Sequence, residues 1–282
     1  MNQNVQTFLA CDHDYEEADA VLFGVPFDGT TSYRPGARFG PPAIRQESFG
    51  IETYSPYCDR DLTDCRIFDG GDLELPFGNP ERVLGLTRAY TERLLVDGKR
   101  FVMLGGEHLI TLGALRAVAE RYPEVHVIHF DAHTDLRTEY LGETLSHSTV
   151  MRQAWNLLGD GRIHQFGIRS GEREEFAFAR AHTCLHKFDL AGFSETVRQL
   201  QGKPVYFSLD LDVLDSSVFC GTGTPEAGGV TFQELMEAIL QLHRLNLVGC
   251  DVNELAPHYD QSGSSTAVAC KITREILLQL TP

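Results

Sequence analysis

The chain has no uncharged apolar run of about 18 residues or more, so no segment reads as a bilayer span. Positive charge is also scarce: 24 Lys and Arg stand against 40 Asp and Glu, a formal net charge of −16. A surface that tracked phosphate backbones or anionic lipid would need the opposite sign, which argues against nucleic-acid and membrane partners. No C-x-x-C occurs among the seven cysteines Cys11, Cys58, Cys65, Cys184, Cys220, Cys250 and Cys270. Their odd number and scattered spacing fit reduced thiols better than a disulfide frame or a thiolate zinc site. The opening Met1-Asn2-Gln3-Asn4 lacks the basic and apolar segments of a secretion signal, so the expected location is cytoplasmic. Internal repeats and low-complexity linkers are missing too. At 282 residues the chain suffices for one large α/β domain, and a single domain over 1–282 is the simplest reading.

What the sequence does have is short apolar runs: Ala20 to Val25, Phe101 to Leu104, Val125 to Phe130, Ile163 to Ile168, Val205 to Leu209 and Leu245 to Val252. Between them lie segments with helical spacing: Leu112, Leu115, Val118 and Tyr122, then Leu235, Ile239 and Leu242, and finally Val268, Ile272, Ile276 and Leu280. Parallel neighbours need crossover connections, so this alternation predicts a mostly parallel sheet with helices on both faces. Strands buried on both faces read as continuous apolar runs, as these do. Ligands of such sheets collect at the carboxyl ends of the strands.

Three of those ends carry polar residues that a buried strand tolerates only for a reason. The run at 101–104 enters Gly105-Gly106-Glu107-His108, the run at 125–130 ends in Asp131-Ala132-His133-Thr134-Asp135, and the run at 205–209 ends in Asp210-Leu211-Asp212. In an extended chain, side chains two apart share a face, so Asp131, His133 and Asp135 would face one point, and Asp210 and Asp212 likewise. Packing four carboxylates into a partly dry cleft costs several kcal/mol unless cations neutralise them. Two divalent ions balance Asp131, Asp135, Asp210 and Asp212, with neutral His108 and His133 completing the set. Oxygen-rich ligation with some imidazole favours manganese-like ions, with zinc the alternative. Asp12-His13-Asp14 looks metal-like, but its acidic neighbours Glu16, Glu17 and Asp19 mark a solvated charge run.

These motifs resemble the metal motifs of the ureohydrolase family, which includes the arginases and agmatinases. Gly105 to His108, Asp131 to Asp135 and Ser208 to Asp215 follow the family order, and Gly221 to Gly229 continues the third motif. Gly24-Val25-Pro26-Phe27-Asp28 with Arg34, Pro35, Gly36, Arg38 and Gly40-Pro41-Pro42 is similar to the agmatinase-type amino-terminal motif. The tract from Phe49 to Asp72 is similar to bacterial agmatinases.

The resemblance implies a three-layer α/β/α fold around an eight-stranded, mainly parallel, arginase-like sheet, assembled as a homo-oligomeric trimer or hexamer. It implies two Mn(2+) ions. One takes His108, Asp131, Asp135 and Asp210; the other takes Asp131, His133, Asp210 and Asp212. It makes His147 the histidine near the leaving amine and Glu254 the guanidinium-binding carboxylate. Many members have Asp where Glu107 stands and Pro where Ser216 and Cys220 stand, so loop shape and substrate preference are open there.

A guanidinium is a poor electrophile because its charge is spread over three nitrogens. Water bridging two metal ions has its pKa lowered to ~7, giving a hydroxide for attack at neutral pH. Asp135 would aim it and pass its proton to the amine, His147 would exchange protons with solvent, and Glu254 would anchor the cationic head. The small cationic guanidino substrate expected first is agmatine, giving putrescine and urea, with 4-guanidinobutanoate or arginine behind it. The loop from Leu136 to Glu143 lacks the Ser-Gly-Asn run that arginases carry; its Glu139 and Glu143 suit a cationic far end but read more simply as solubilising charge. Two other classes compete. A binuclear phosphoesterase would recruit Arg34 and Arg38 to phosphate, although no G-x-x-x-x-G-K-[ST] loop supports it. A non-catalytic metal-binding scaffold would tolerate the loss of ligands that are all present here.

Overall fold

A computed structural model of the chain describes residues 6–281. Met1-Asn2-Gln3-Asn4, read above for the missing secretion signal, lies outside them. The strands are β1 (Ala20–Val25), β2 (Tyr54–Ser55), β3 (Arg60–Asp61), β4 (Ile67–Asp72), β5 (Arg100–Gly105), β6 (His126–Phe130), β7 (Ile163–Ile168), β8 (Cys184–Lys187), β9 (Pro204–Asp210) and β10 (Asn246–Asn253). The α-helices are α1 (Gly40–Glu47), α2 (Pro80–Val96), α3 (Thr111–Arg121), α4 (Val150–Leu158), α5 (Arg173–His182), α6 (Phe193–Gln199), α7 (Phe232–Ile239) and α8 (Ser264–Leu280). Eight strands form one sheet in the order β4-β1-β5-β10-β9-β6-β7-β8, and every pairing in it is parallel. β2 and β3 make a separate antiparallel ladder.

The inner strands β1, β5, β10, β9, β6 and β7 are the apolar runs of the sequence, and alternate residues supply the two faces of the sheet. On one face Leu22, Leu104, Phe130, Phe207 and Val252 pack with Ile44 of α1, Val197 of α6, Leu235 of α7 and Ile272 of α8. On the other, Phe23, Met103, Val127 and Tyr206 pack with Leu84 of α2, Leu115 of α3, Ala154 of α4 and Ala179 of α5. Each large side chain buried this way contributes roughly 1.5–3 kcal/mol, which makes the central strand ends a rigid platform. Local signals fix the helix starts. Asn79 accepts from the Arg82 N–H ahead of α2, and Thr231 and Glu234 form a reciprocal capping box on α7. The α7 helix closes at Ile239, so Leu242 falls in the following 3-10 turn.

After β5 the chain builds outward through β6, β7 and β8, then returns to insert β9 and β10 between β5 and β6. The three motif strands and β10 therefore lie side by side at the centre of the sheet, where the strand order reverses. Gly106 permits the tight exit from β5, since a Cβ there would meet the Phe27 carbonyl oxygen at 2.0 Å.

Candidate metal centre

The six expected ligands converge at the carboxyl ends of β5, β6 and β9. His108 opens a 3-10 turn after β5 and is almost fully buried. Its Nδ1 lies 3.0 Å from Asp131 Oδ2, 3.2 Å from Asp135 Oδ2 and 3.4 Å from Asp210 Oδ2. His133 Nδ1 lies 2.9 Å from Asp212 Oδ2 and 3.4 Å from Asp131 Oδ1.

Simple strand alternation does not explain this convergence, and the extended-chain expectation is corrected at two points. β6 ends at Phe130, and Asp135 turns inward with a left-handed φ of 52°, its carbonyl accepting the Met151 and Arg152 N–H groups at the start of α4. Asp212 sits in a 3-10 turn rather than an extended strand, and its N–H donates to Asp210 Oδ1 at 2.8 Å. A strand leaving a sheet has lost its ladder partners, so the carboxylates themselves recruit backbone N–H groups and bend the chain.

Asp131, Asp135, Asp210 and Asp212 are each 6% exposed or less. Among the described residues their ion-pair partners are histidines, with no Lys or Arg. Burial, reinforced by the neighbouring Asp131, pushes Asp135 up to about 6, and burial with Asp212 and Asp131 pushes Asp210 well up. Burial works the same way on Asp131, but His108, His129 and His133 outweigh it and hold that carboxyl well below its usual range. Burial alone would depress His108 and His133; the surrounding carboxylates instead raise both well above the ordinary imidazole value. Crowded, desolvated carboxylates paired with imidazoles form an oxygen-rich donor set that fits divalent cations.

Two geometric groups could each hold an ion: His108, His129, Asp131 and Asp135 in one, and Asp131, His133 and Asp212 in the other. His129 was missed in the sequence. Its Nε2 lies 2.9 Å from Asp131 Oδ2, and Gln165 Nε2 approaches its Nδ1 at 3.1 Å. Because the Gln165 amide donates there, the imidazole proton sits on Nε2 and points at Asp131. The spacing His129-Phe130-Asp131, two residues along one strand face, was the available signal.

His147 follows Ser146, which caps the 3-10 turn His147–Thr149, so the capping role and a site role coexist. The Ser32 N–H donates to His147 Nε2 at 3.2 Å, which leaves the proton of the neutral ring on Nδ1. Burial, with His133 and His108 nearby, pushes His147 down to about 4, so it is neutral at pH 7. Glu254 lies just past β10 with a φ of 67°, and its Oε1 accepts the His108 N–H at 2.8 Å. Burial and the neighbouring Glu107 raise its pKa well above the usual range. Glu107 does not face the metal cluster. Its carboxylate accepts the Thr30 N–H and the Thr30 and Thr31 hydroxyls, pinning the loop that carries Ser32.

A cavity of about 260 Å³ opens over the cluster, walled by Ser32, His133, Asp135, His147, Glu172 and Thr224 among others. Glu254 is not on that wall. Ser170, Glu172 and Glu175 also line it, from the segment after β7, an element whose end the sequence reading left unexamined. Glu139 and Glu143 are exposed and off the wall, as solubilising charges are. Asp12 and Asp14 are exposed, in keeping with a solvated run. Cys220 is exposed and Ser216 half-buried, and all seven cysteines are free thiols. Arg38 pairs with Asp28 and Arg34 stacks 3.9 Å from the Tyr259 ring centroid, so both are engaged outside the carboxylate cluster.

A parallel three-layer sheet with this acid–histidine cluster at its central strand ends defines a class of binuclear-type hydrolases. The chain belongs to the arginase family, whose sequence model matches residues 18–279. It is 48% identical to the agmatinase of Bacillus subtilis over 277 residues, covering 97% of this chain and 96% of that protein. The crystal structure of a Clostridium difficile protein provisionally described as an agmatinase superposes with a TM-score of 0.93 at 50% identity, covering 95% of this chain and 99% of that one. The agmatine ureohydrolase of Thermoplasma volcanium superposes with a TM-score of 0.90 at 33% identity, covering 98% and 94%.

Proposed function

We propose that this chain is an agmatinase-type ureohydrolase that cleaves agmatine to putrescine and urea. The observation that carries the reading is the convergence of Asp131, Asp135, Asp210 and Asp212 with His108, His129 and His133 beneath a small polar cavity, in a chain nearly half identical to an agmatinase. His108, Asp131, Asp135 and Asp210 would hold one Mn(2+), and Asp131, His133, Asp210 and Asp212 the other. Bound there, two divalent ions polarise a water and bring its pKa toward ~7.

The chain's own residues supply the rest. Glu254 anchors the guanidinium through its carboxylate, whose Oε1 also accepts the His108 N–H. Addition at the guanidinium carbon releases a water proton, which Asp135 accepts. C–N cleavage proceeds once the departing nitrogen is protonated, and Asp135 returns the proton to it. The neutral His147 ring, its Nε2 held by Ser32, offers Nδ1–H for exchange with solvent. Water and a guanidinium are thereby converted to urea and an ammonium, with no proton left over.

Residues 1–282 are read as one cytoplasmic domain that acts as a homo-oligomer, a trimer or hexamer, in polyamine biosynthesis. Both apolar clusters packing on the same sheet support the single domain. Among the described residues no helix is long and apolar enough to cross a membrane. The phosphoesterase alternative is weakened by the engagement of Arg34 and Arg38 elsewhere. The test offers the manganese-loaded protein agmatine, arginine and 4-guanidinobutanoate and measures urea. Urea chiefly from agmatine is expected; no urea from any guanidine, or phosphate release from a model ester, removes the reading.

A further inference from the structure

Behind His108, on the side away from the cavity, lies a buried carboxylate that the proposed reaction does not use. Asp251 is fully buried in β10. Its Oδ1 accepts from Ser208 Oγ at 2.8 Å and Asn253 Nδ2 at 2.6 Å, and its Oδ2 accepts from Tyr206 OH at 2.6 Å and Thr111 Oγ1 at 2.9 Å. Two oxygens with about four lone-pair directions are thus saturated, and no position remains for a proton. Ser208 has a single hydroxyl hydrogen, which Asp251 takes. The 2.8 Å contact between Ser208 Oγ and His108 Nε2 must then be donated by the imidazole. In the neutral ring the other nitrogen, Nδ1, carries the lone pair, and it faces Asp131, Asp135 and Asp210.

We propose that Asp251 is a positioning residue: through Ser208 it orders the hydrogen-bond chain so that His108 keeps its proton on Nε2 and presents Nδ1 to a cation. This rests on the reading of His108 as a metal ligand. A histidine can ligate through one nitrogen only when the proton sits on the other, and groups that enforce this typically account for about 10- to 100-fold in metal affinity. Asp251→Asn breaks the order. An amide accepts more weakly than the carboxylate and carries no charge, so the Ser208 hydroxyl is no longer held away from Nε2; once it donates to Nε2, the imidazole proton is driven onto the ligating atom.

The experiment titrates manganese(II) alone into metal-free protein by calorimetry and follows the folding temperature of each variant. Asp251→Asn and Ser208→Ala should each weaken the tightest manganese binding about 10- to 100-fold. Tyr206→Phe removes a donor from the same carboxylate without reversing the chain, and should stay within about threefold of the parent. Parent affinity in both Asp251→Asn and Ser208→Ala overturns the proposal, as does a loss in all three variants that merely follows the folding temperature. If Asp251→Asn does not fold, Ser208→Ala against Tyr206→Phe decides. His108→Ala is measured alongside: if it keeps both ions at parent affinity, the ligand reading beneath the proposal falls, which is distinct from failure of the chain itself.

Discussion

Asp135 and Glu254 share an unusual feature: each is a non-glycine residue with a left-handed backbone, at φ 52° and 67°. Such a conformation costs about 1–2 kcal/mol for an L-residue, and here it turns a carboxylate toward the centre just past a strand end. The choice of substitution follows. Asn tolerates this backbone and matches Asp in shape, so Asp135→Asn removes the charge and the proton acceptor with little change of path. Turnover should fall at least ~100-fold while metal content changes far less, measured by urea release and elemental analysis. Activity at the parent level would show that Asp135 is not the proton carrier. Glu254→Gln keeps an acceptor for the His108 N–H but loses the charge offered to the guanidinium. A hydrogen bond to a charged group contributes about 1.5–3 kcal/mol, so KM for agmatine should rise roughly 10- to 100-fold with a smaller change in kcat. An unchanged KM would place the guanidinium elsewhere.

At the scale of elements, the inner strands were legible because burial on both faces leaves a continuous apolar run, as in Val205 to Leu209. The edge strands β4 and β8 were not picked out by pattern. Ile67–Asp72 contains two glycines and two aspartates, and Cys184–Lys187 is short and half-buried, because an edge strand has only one neighbour to fit. The ligands were legible because polar residues at buried strand ends need a reason. The bends that aim Asp135 and Asp212 were not, because they depend on hydrogen bonds formed only in the folded chain, from Met151 and Arg152 to the Asp135 carbonyl and from the Asp212 N–H to the Asp210 carboxylate. His126 and His164 raise a separate point at the other ends of β6 and β7, where their Nδ1 and Nε2 lie 3.1 Å apart. Burial, with Lys203 and Arg162 nearby, pushes His126 down to about 4, and burial with His126 and His186 does the same to His164. Unfolded histidine titrates near 6.5, so between about pH 6.5 and 4 the unfolded chain binds more protons, and stability is lost as the pH falls through that window. Replacing both with Gln should flatten the decline of the folding temperature there relative to the parent. An identical decline in parent and variant would assign the acid sensitivity to other groups.

The whole molecule couples its charge to its ligands. Without cations, the buried carboxylates at the centre of the sheet repel one another, so ions that bind only the folded state stabilise it by mass action. At a free concentration about 100 times Kd the gain is about 2.7 kcal/mol, or roughly 5 °C in folding temperature for a domain of this size. Chelation should reverse that shift and manganese restore it; a folding temperature indifferent to both would mean that the folded centre holds no ion. The net charge of −16 acts at longer range. Agmatine carries two positive charges at neutral pH, whereas 4-guanidinobutanoate is net neutral, so the field of the protein draws in the first and is nearly indifferent to the second. The screening length falls from about 10 Å at 0.1 M salt to about 3 Å at 1 M, which erases attraction beyond the cavity but leaves contacts inside it largely intact. Raising salt should therefore lower kcat/KM for agmatine several-fold and leave that for 4-guanidinobutanoate almost flat. Comparing the two slopes separates steering from general salt damage, since damage would lower both together. Parallel declines would mean that the acidic surface serves solubility alone.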